Sequence, residues 1–195
     1  MQLAFEFYDD LPPRPKRSER LFFALFPTPQ TSIRVGRFTD RFLCENHLRD
    51  KRLKAERLHV SLHHVGDYRR LRGKHIYAAT QAGNAISMRP FEITCRSITG
   101  FKRPPSTGGK PRKRPLVLLG EGNGLSELHR ILGTAMEKNG LRASDHFLPH
   151  ITLSYGWKQI PAQAIEPIRF KVNDFALVHS RLWLTQYDVV ERWPL

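Results

Sequence analysis

The chain has 195 residues, of which 40% are hydrophobic and 26% charged, a composition typical of a soluble globular domain rather than of a disordered or fibrous protein. Its 32 Lys and Arg residues against 18 Asp and Glu give a formal net charge of +14, which favours a polyanionic partner, nucleic acid first and acidic lipid surfaces second. No apolar run is long enough for a transmembrane helix, so no membrane association through one is expected.

The two cysteines, Cys44 and Cys95, have neither a CxxC spacing nor neighbours with metal-ligand spacing. The N-terminus lacks the basic and apolar regions of a secretory signal. Reduced thiols and a cytoplasmic location are therefore expected.

Prolines and charges dominate residues 1–19, which predicts an N-terminal extension with a short strand at 5–8 and a single domain over 20–195. Within the domain, hydrophobic periodicity and Gly/Pro punctuation predict these elements in order: strand 20–26, helix 28–48, strand 57–65, a helix from an Asp67 N-cap to Ala82, strand 91–98, a basic loop 102–114, strand 116–119, helix 125–136, and strands 147–155, 168–179 and 181–190. A strand–helix–strand–helix–strand unit followed by a similar unit indicates an α+β fold with internal duplication.

Two segments 91 residues apart share one pattern: His59-Val-Ser61-Leu and His150-Ile-Thr152-Leu. Independent placement of these residue types predicts only about 0.1 such matches in a chain of this composition. Because side chains alternate along a strand, each segment presents an imidazole and a hydroxyl on one face and aliphatic side chains on the other.

Two imidazoles beside two hydroxyls suit hydrolysis or transesterification of a phosphodiester. One neutral imidazole can accept a proton from water or a hydroxyl, and the other, protonated, can donate one to the leaving oxygen. Ser61 and Thr152 are the candidate phosphate-binding residues, since their hydroxyls can donate to the non-bridging oxygens. This scheme needs no metal and no cofactor.

The motif pair, its flanks LHVSLHHVG and LPHITLSYG, and the strand RLFFALF near the start resemble the 2H phosphoesterase superfamily, and within it the RNA 2',3'-cyclic phosphodiesterase or 2'-5' RNA ligase family. The resemblance implies a bilobal fold of two antiparallel sheets facing each other across a central cleft, with helices outside. It implies opening of a 2',3'-cyclic phosphate to a 2'-phosphate, and in some members reversible 2'-5' ligation. It assigns His59 as the donor to the leaving 3'-oxygen and His150 as the base that activates water.

The chain departs from the family pattern in three places. Ser61 stands where Thr is usual, His64 where Phe is common, and Tyr155 where an Arg is frequent. Tyr155 and His64 are therefore candidate substrate contacts, and the absent Arg puts RNA-end specificity in question. Tyr155, Phe23 or Phe101 are candidates for stacking on a base.

Three functions are distinguishable in principle. The first is the cyclic phosphodiesterase acting on RNA or a cyclic nucleotide as a monomer. The second keeps the site and changes the substrate to another cyclic or 2'-5' phosphodiester, such as an ADP-ribose cyclic phosphate. The third is a non-catalytic RNA-binding module that uses only the basic surface, with the loop 102–114 as a candidate phosphate-binding arm.

Overall fold

An antiparallel sheet organises the chain in a computed structural model that describes residues 16–106, 109–184 and 186–195. In chain order the elements are β1 (Glu19–Leu25), α1 (Pro29–Glu45), a 3-10 turn (Ala55–Arg57), β2 (Val60–Tyr68), α2 (Gly73–Asn84), β3 (Phe91–Gly100), β4 (Arg114–Glu121), α3 (Asn123–Lys138), β5 (His150–Gly156), β6 (Gln163–Val172), β7 (Asp174–Arg181) and β8 (Gln186–Pro194). This mixture of antiparallel strands and helices confirms the α+β class.

The sheet consists of two four-stranded halves with the same internal arrangement. The strand order is β6-β3-β4-β5-β2-β1-β7-β8. The two motif strands, β5 and β2, are therefore neighbours at the centre of the whole sheet. The halves join through one antiparallel pair, Val60 with Ile151. The resemblance implies two antiparallel sheets facing each other across a cleft; here the two halves are joined at this pair into one eight-stranded sheet.

The helices pack on one face of the sheet because their apolar side chains recur at helical spacing. Leu125, Leu128, Leu132 and Met136 of α3 are all fully buried in the main core. In α1, Pro29 occupies the first turn and the Thr28 hydroxyl accepts a hydrogen bond from the Thr31 amide at 3.2 Å, which together define its start. The other sheet face carries a small apolar cluster of Phe22, Ala24, Ala176 and Val178.

Four predicted boundaries were wrong. Asp67 is not a helix cap: it lies within β2 and pairs with Arg20, and α2 begins only at Gly73. The predicted strand 168–179 is two strands that turn at Asn173, and the last strand, predicted at 181–190, is Gln186–Pro194. The beginning of β6 was missed because residues 163–167 are mostly exposed and include Pro167, as is common in an edge strand.

The predicted strand at 5–8 and most of the N-terminal extension lie outside the described residues. The described parts of the 102–114 segment up to Lys113 contain neither helix nor strand, as predicted. Cys44 and Cys95 are free thiols, the first exposed and the second buried. Within the described ranges, the helices are too short or too polar to span a membrane.

Candidate active site

The two motifs lie on neighbouring central strands and face the same side of the sheet. Val60, Leu62, Ile151 and Leu153 point into the main core, so the residues between them point to the opposite, helix-free face. The antiparallel pair of Val60 with Ile151 sets the register, in which His59 falls opposite Thr152 and Ser61 falls opposite His150. Each motif histidine thus lies across from the hydroxyl-bearing residue of the other motif.

Both motif imidazoles are held in the same way. Nδ1 of His59 donates to the Arg57 carbonyl at 2.8 Å, and Nδ1 of His150 donates to the Leu148 carbonyl at 2.7 Å. A carbonyl oxygen only accepts, so both hydrogens are on Nδ1 and Nε2 is left for proton exchange with a substrate. This common tautomer was not deducible from the motif alone, because the partner is a backbone atom.

His59 lies in an aromatic environment. Its ring centroid is 5.3 Å from that of Phe22 and 5.4 Å from that of Tyr187. Burial lowers the pKa of His59 from 6.5 to about 4, with smaller electrostatic contributions from His150 and Arg57. His59 is therefore a neutral imidazole at pH 7 when no substrate is bound.

His150 has a more open position. Its ring packs edge-on against Phe101 at 4.9 Å, and Phe101 immediately follows β3. Of the three aromatic residues that were candidates for base stacking, Phe101 and Tyr155 lie next to the site. Phe23 does not: it is fully buried in the core beneath the sheet, which excludes it from contact with a base.

A cavity of about 380 Å³ lies on the His59 side of the motif pair. It brings together four of the predicted site residues, His59, Ser61, His64 and Tyr155. His150 and Thr152 do not line it but lie beside it on β5. The remaining lining is Arg20, Phe22, Arg57, Ser180, Leu182 and Tyr187.

Comparison with known proteins places this architecture in a family. The sequence model of the 2'-5' RNA ligase superfamily matches residues 27–189. The chain belongs to the 2'-5' RNA ligase superfamily. A search of curated proteins found no sequence relative.

Solved structures agree in fold with this superfamily member. TT0787 of Thermus thermophilus is 22% identical with a TM-score of 0.70, over 90% of this chain and 97% of that one. E. coli LigT complexed with 3'-AMP is 23% identical with a TM-score of 0.67, over 91% and 98%. The MHV ns2 PDE domain is 20% identical with a TM-score of 0.50, over 88% and 97%.

His64 and Tyr155 reach the cavity because each motif strand has a bulge directly after its motif hydroxyl residue. Along β2 the register skips Leu62, so that Ser61 pairs with Ala24 and His63 with Phe23. Along β5 it skips Leu153, so that Thr152 pairs with Val117 and Ser154 with Leu116. Such bulges reverse the alternation of faces and re-aim the residues that follow.

His63, which strict alternation would have placed in the site, instead packs below the sheet. Its ring stacks on His129 of α3 at 3.9 Å, and its Nε2 donates to the His129 carbonyl at 2.8 Å.

A salt-bridged network borders the cavity. Arg20 donates to both oxygens of Asp67, at 2.7 and 2.8 Å, and Nε2 of His64 donates to Asp67 at 2.9 Å. These contacts, with that of Arg20 the largest, lower the pKa of Asp67 to about 2. The carboxylate thereby fixes His64 and compensates the charge of Arg20.

Sequence reasoning missed Arg20, Arg57 and Tyr187. Arg57 carried a usable signal, since it lies two residues before His59, the spacing at which strand residues share a face. Arg20 and Tyr187 carried none, because strands distant in sequence bring them to the site. Within the part of the chain that the structure describes, no group of three or more His, Cys, Asp or Glu residues has the geometry of a metal site.

Proposed function

We propose that this protein hydrolyses a 2',3'-cyclic phosphate, at an RNA end or on a nucleotide, to a 2'-phosphate. The observation that carries the proposal is the pair of identically held imidazoles, His59 and His150, on adjacent strands with a hydroxyl opposite each. Membership of the 2'-5' RNA ligase superfamily supports phosphodiester chemistry, and the relative LigT has been solved with 3'-AMP.

In the proposed reaction His150 Nε2 accepts a proton from water as the water oxygen bonds to phosphorus. The bond from phosphorus to the 3'-oxygen breaks, and His59 Nε2 gives that oxygen its proton. Ser61 and Thr152 donate hydrogen bonds to the non-bridging oxygens, where negative charge increases in the transition state. The 2'-ester bond remains, so the product is a 2'-phosphate.

His59 must be protonated for this role, although its pKa is about 4 without substrate. A phosphodiester anion placed beside the ring favours the imidazolium and raises that pKa. Substrate binding is therefore expected to be coupled to proton uptake at His59.

The test is incubation of the purified protein, in EDTA, with 2',3'-cyclic AMP and with an RNA ending in a 2',3'-cyclic phosphate. The products are resolved as 2'- or 3'-phosphates. His59→Ala and His150→Ala are each expected to lower turnover at least a thousandfold, since each removes one proton-transfer group. His146→Ala, a change in an exposed loop position, is the matched control and should keep wild-type turnover.

A 3'-phosphate product would overturn the assignment of His59 to the 3'-oxygen. Near-wild-type turnover by the His150→Ala variant would overturn the two-histidine mechanism. RNA binding that survives loss of both histidines, without turnover of any cyclic phosphate, would favour the non-catalytic RNA-binding module.

A second candidate keeps the chemistry and changes the substrate to another cyclic or 2'-5' phosphodiester. It is favoured by Tyr155, which occupies the cavity where the family pattern has an Arg. Faster turnover of an ADP-ribose cyclic phosphate or a 2'-5' oligonucleotide, with no gain from a longer RNA, would select it.

A further inference from the structure

Two guanidinium groups line the cavity beside His59, and they differ in how their charge is compensated. Arg20 donates two hydrogen bonds to Asp67, so its charge is matched by a carboxylate and its donors face that partner. Arg57 forms no ion pair with any carboxylate among the described residues. The cavity therefore contains one guanidinium available to an anion.

Arg57 is held in place although it has no carboxylate partner. Its guanidinium carbon lies 5.1 Å from the ring centroid of Tyr187, and its carbonyl accepts the Nδ1–H of His59. Its Nε is enclosed and has no hydrogen-bond partner in the described part of the chain. An enclosed N–H without a partner is unfavourable, so the hydrogen-bonding capacity of this guanidinium is not satisfied within the described part of the chain.

We propose that Arg57 binds the phosphate of the substrate. This inference rests on the proposed phosphodiester function. The stacked, planar guanidinium presents N–H groups in a fork that matches two phosphate oxygens, which a lysine cannot reproduce. The phosphate-binding charge thus lies at the end of the 3-10 turn before the first motif, beside His59, rather than on the second motif strand.

The first test is binding of inorganic phosphate by isothermal titration calorimetry. Arg57→Met keeps an unbranched stem against Tyr187 but removes the charge, and is expected to weaken phosphate binding at least tenfold. Arg57→Lys should restore only part of that affinity. Arg130→Met is the matched control, because Arg130 is exposed on α3 and paired with Glu127, and it should bind phosphate as the wild type does.

The second test uses turnover of 2',3'-cyclic AMP. Arg57→Met is expected to lower kcat/KM about a hundredfold, as for loss of one donor to a developing oxyanion. Adding Tyr155→Arg to that variant returns an arginine to the cavity and should recover at least tenfold. If Arg57→Met does not fold, Arg57→Gln serves as an independent variant for both tests.

The outcomes separate this inference from the proposed function. If a folded Arg57→Met or Arg57→Gln variant binds phosphate and turns over substrate within twofold of the wild type, Arg57 is not the phosphate ligand, and the proposed function stands. If phosphate binding requires Arg57 but the wild type opens no cyclic phosphate, the anion site stands and the proposed function fails.

Discussion

His64 and Tyr155 occupy equivalent positions in the two motif strands, each five residues after its motif histidine and each re-aimed into the cavity by a bulge at the intervening leucine. The two strands are thus alike in more than their motifs. Each contributes an imidazole, a hydroxyl and one further polar side chain to the helix-free face. The two strands thus match in the placement of these residues, and they differ in the identity of the fifth one, His64 or Tyr155.

The protonation of His59 should respond to ligand binding. Burial lowers its pKa to about 4, so its imidazole signals in a ¹H–¹⁵N NMR titration should remain those of the neutral Nδ1–H tautomer from pH 8 down to about pH 5. Saturating inorganic phosphate should raise the midpoint of the His59 titration by at least one pH unit. A midpoint near 6.5 in the free protein would contradict the aromatic enclosure of this ring.

Loss of either motif hydroxyl should slow the reaction without affecting the fold. Ser61→Ala and Thr152→Ala are each expected to raise the barrier by about 2–4 kcal/mol, because each removes one donor to the non-bridging oxygens. Ser61→Thr keeps the donor and should retain most of the activity. Single-turnover rates with 2',3'-cyclic AMP measure the effect.

The control for the hydroxyl variants is Thr134→Ala. In the wild type the Thr134 hydroxyl lies on the exposed side of α3 and donates to the Arg130 carbonyl, away from the site. It should leave the single-turnover rate unchanged. An equal loss of rate in all the variants would indicate that the fold, and not the hydroxyls, had been perturbed.

The stacked imidazoles beneath the sheet should make the protein sensitive to acid. Burial, and the neighbouring His63, lower the pKa of His129 to about 4, and His129 is itself stacked on Phe147 at 4.1 Å. Since its folded pKa is below the ordinary 6.5, the stabilisation is complete above pH 6.5 and is lost as the pH falls toward 4. From pH 7 to 4.5 this amounts to about 1–3 kcal/mol.

Urea unfolding at pH 7 and pH 4.5 tests this coupling. His129→Phe keeps a ring between His63 and Phe147 and removes the titrating group, so its free energy of unfolding should fall less with pH than that of the wild type. Parallel pH dependences for the two proteins would refute the role of His129.

The basic segment between β3 and β4 should affect the binding of long RNA only. Replacing Lys110, Arg112 and Lys113 by Gln is expected to weaken RNA binding at low salt and to reduce the dependence of log K on log salt, because exposed cations release counterions from phosphates. Turnover of 2',3'-cyclic AMP should not change. Fluorescence anisotropy with a labelled RNA, at several salt concentrations, measures the effect.

The control removes the same number of charges from the opposite, helical face, at Arg37, Arg41 and Lys138. If both triple variants lose RNA affinity equally, the effect is one of net charge and not of this segment.

Two glycines of α2 should respond oppositely to alanine. A Cβ at Gly83 would overlap the indole ring of Trp193, which is stacked on Phe175 and cannot move freely. Gly83→Ala is therefore expected to destabilise the fold by about 1–3 kcal/mol. Gly73 begins the same helix with no atom near its Cβ position, so Gly73→Ala should be neutral or stabilising by up to about 1 kcal/mol. Thermal unfolding of both variants distinguishes the two effects.

The motifs and the helices were determined by local sequence. Apolar side chains at helical spacing predicted α1 and α3, and a period of two predicted which residues of each motif face away from the core. Both signals depend only on chain geometry and on burial of apolar surface, so they can be read without knowing the neighbours.

What the tertiary structure decided depends on strands that are distant in sequence. Bulges at Leu62 and Leu153 orient His64 and Tyr155 toward the cavity and leave His63 on the core side. The position of a bulge depends on the register with the partner strand, which the motif itself does not specify. Pairing of β1 with β2 brought Arg20 to Asp67, and so left Arg57 as the guanidinium without a carboxylate partner among the described residues that line the cavity. Compensation of charge between side chains distant in sequence is a property of their positions in space, and no local pattern encodes it.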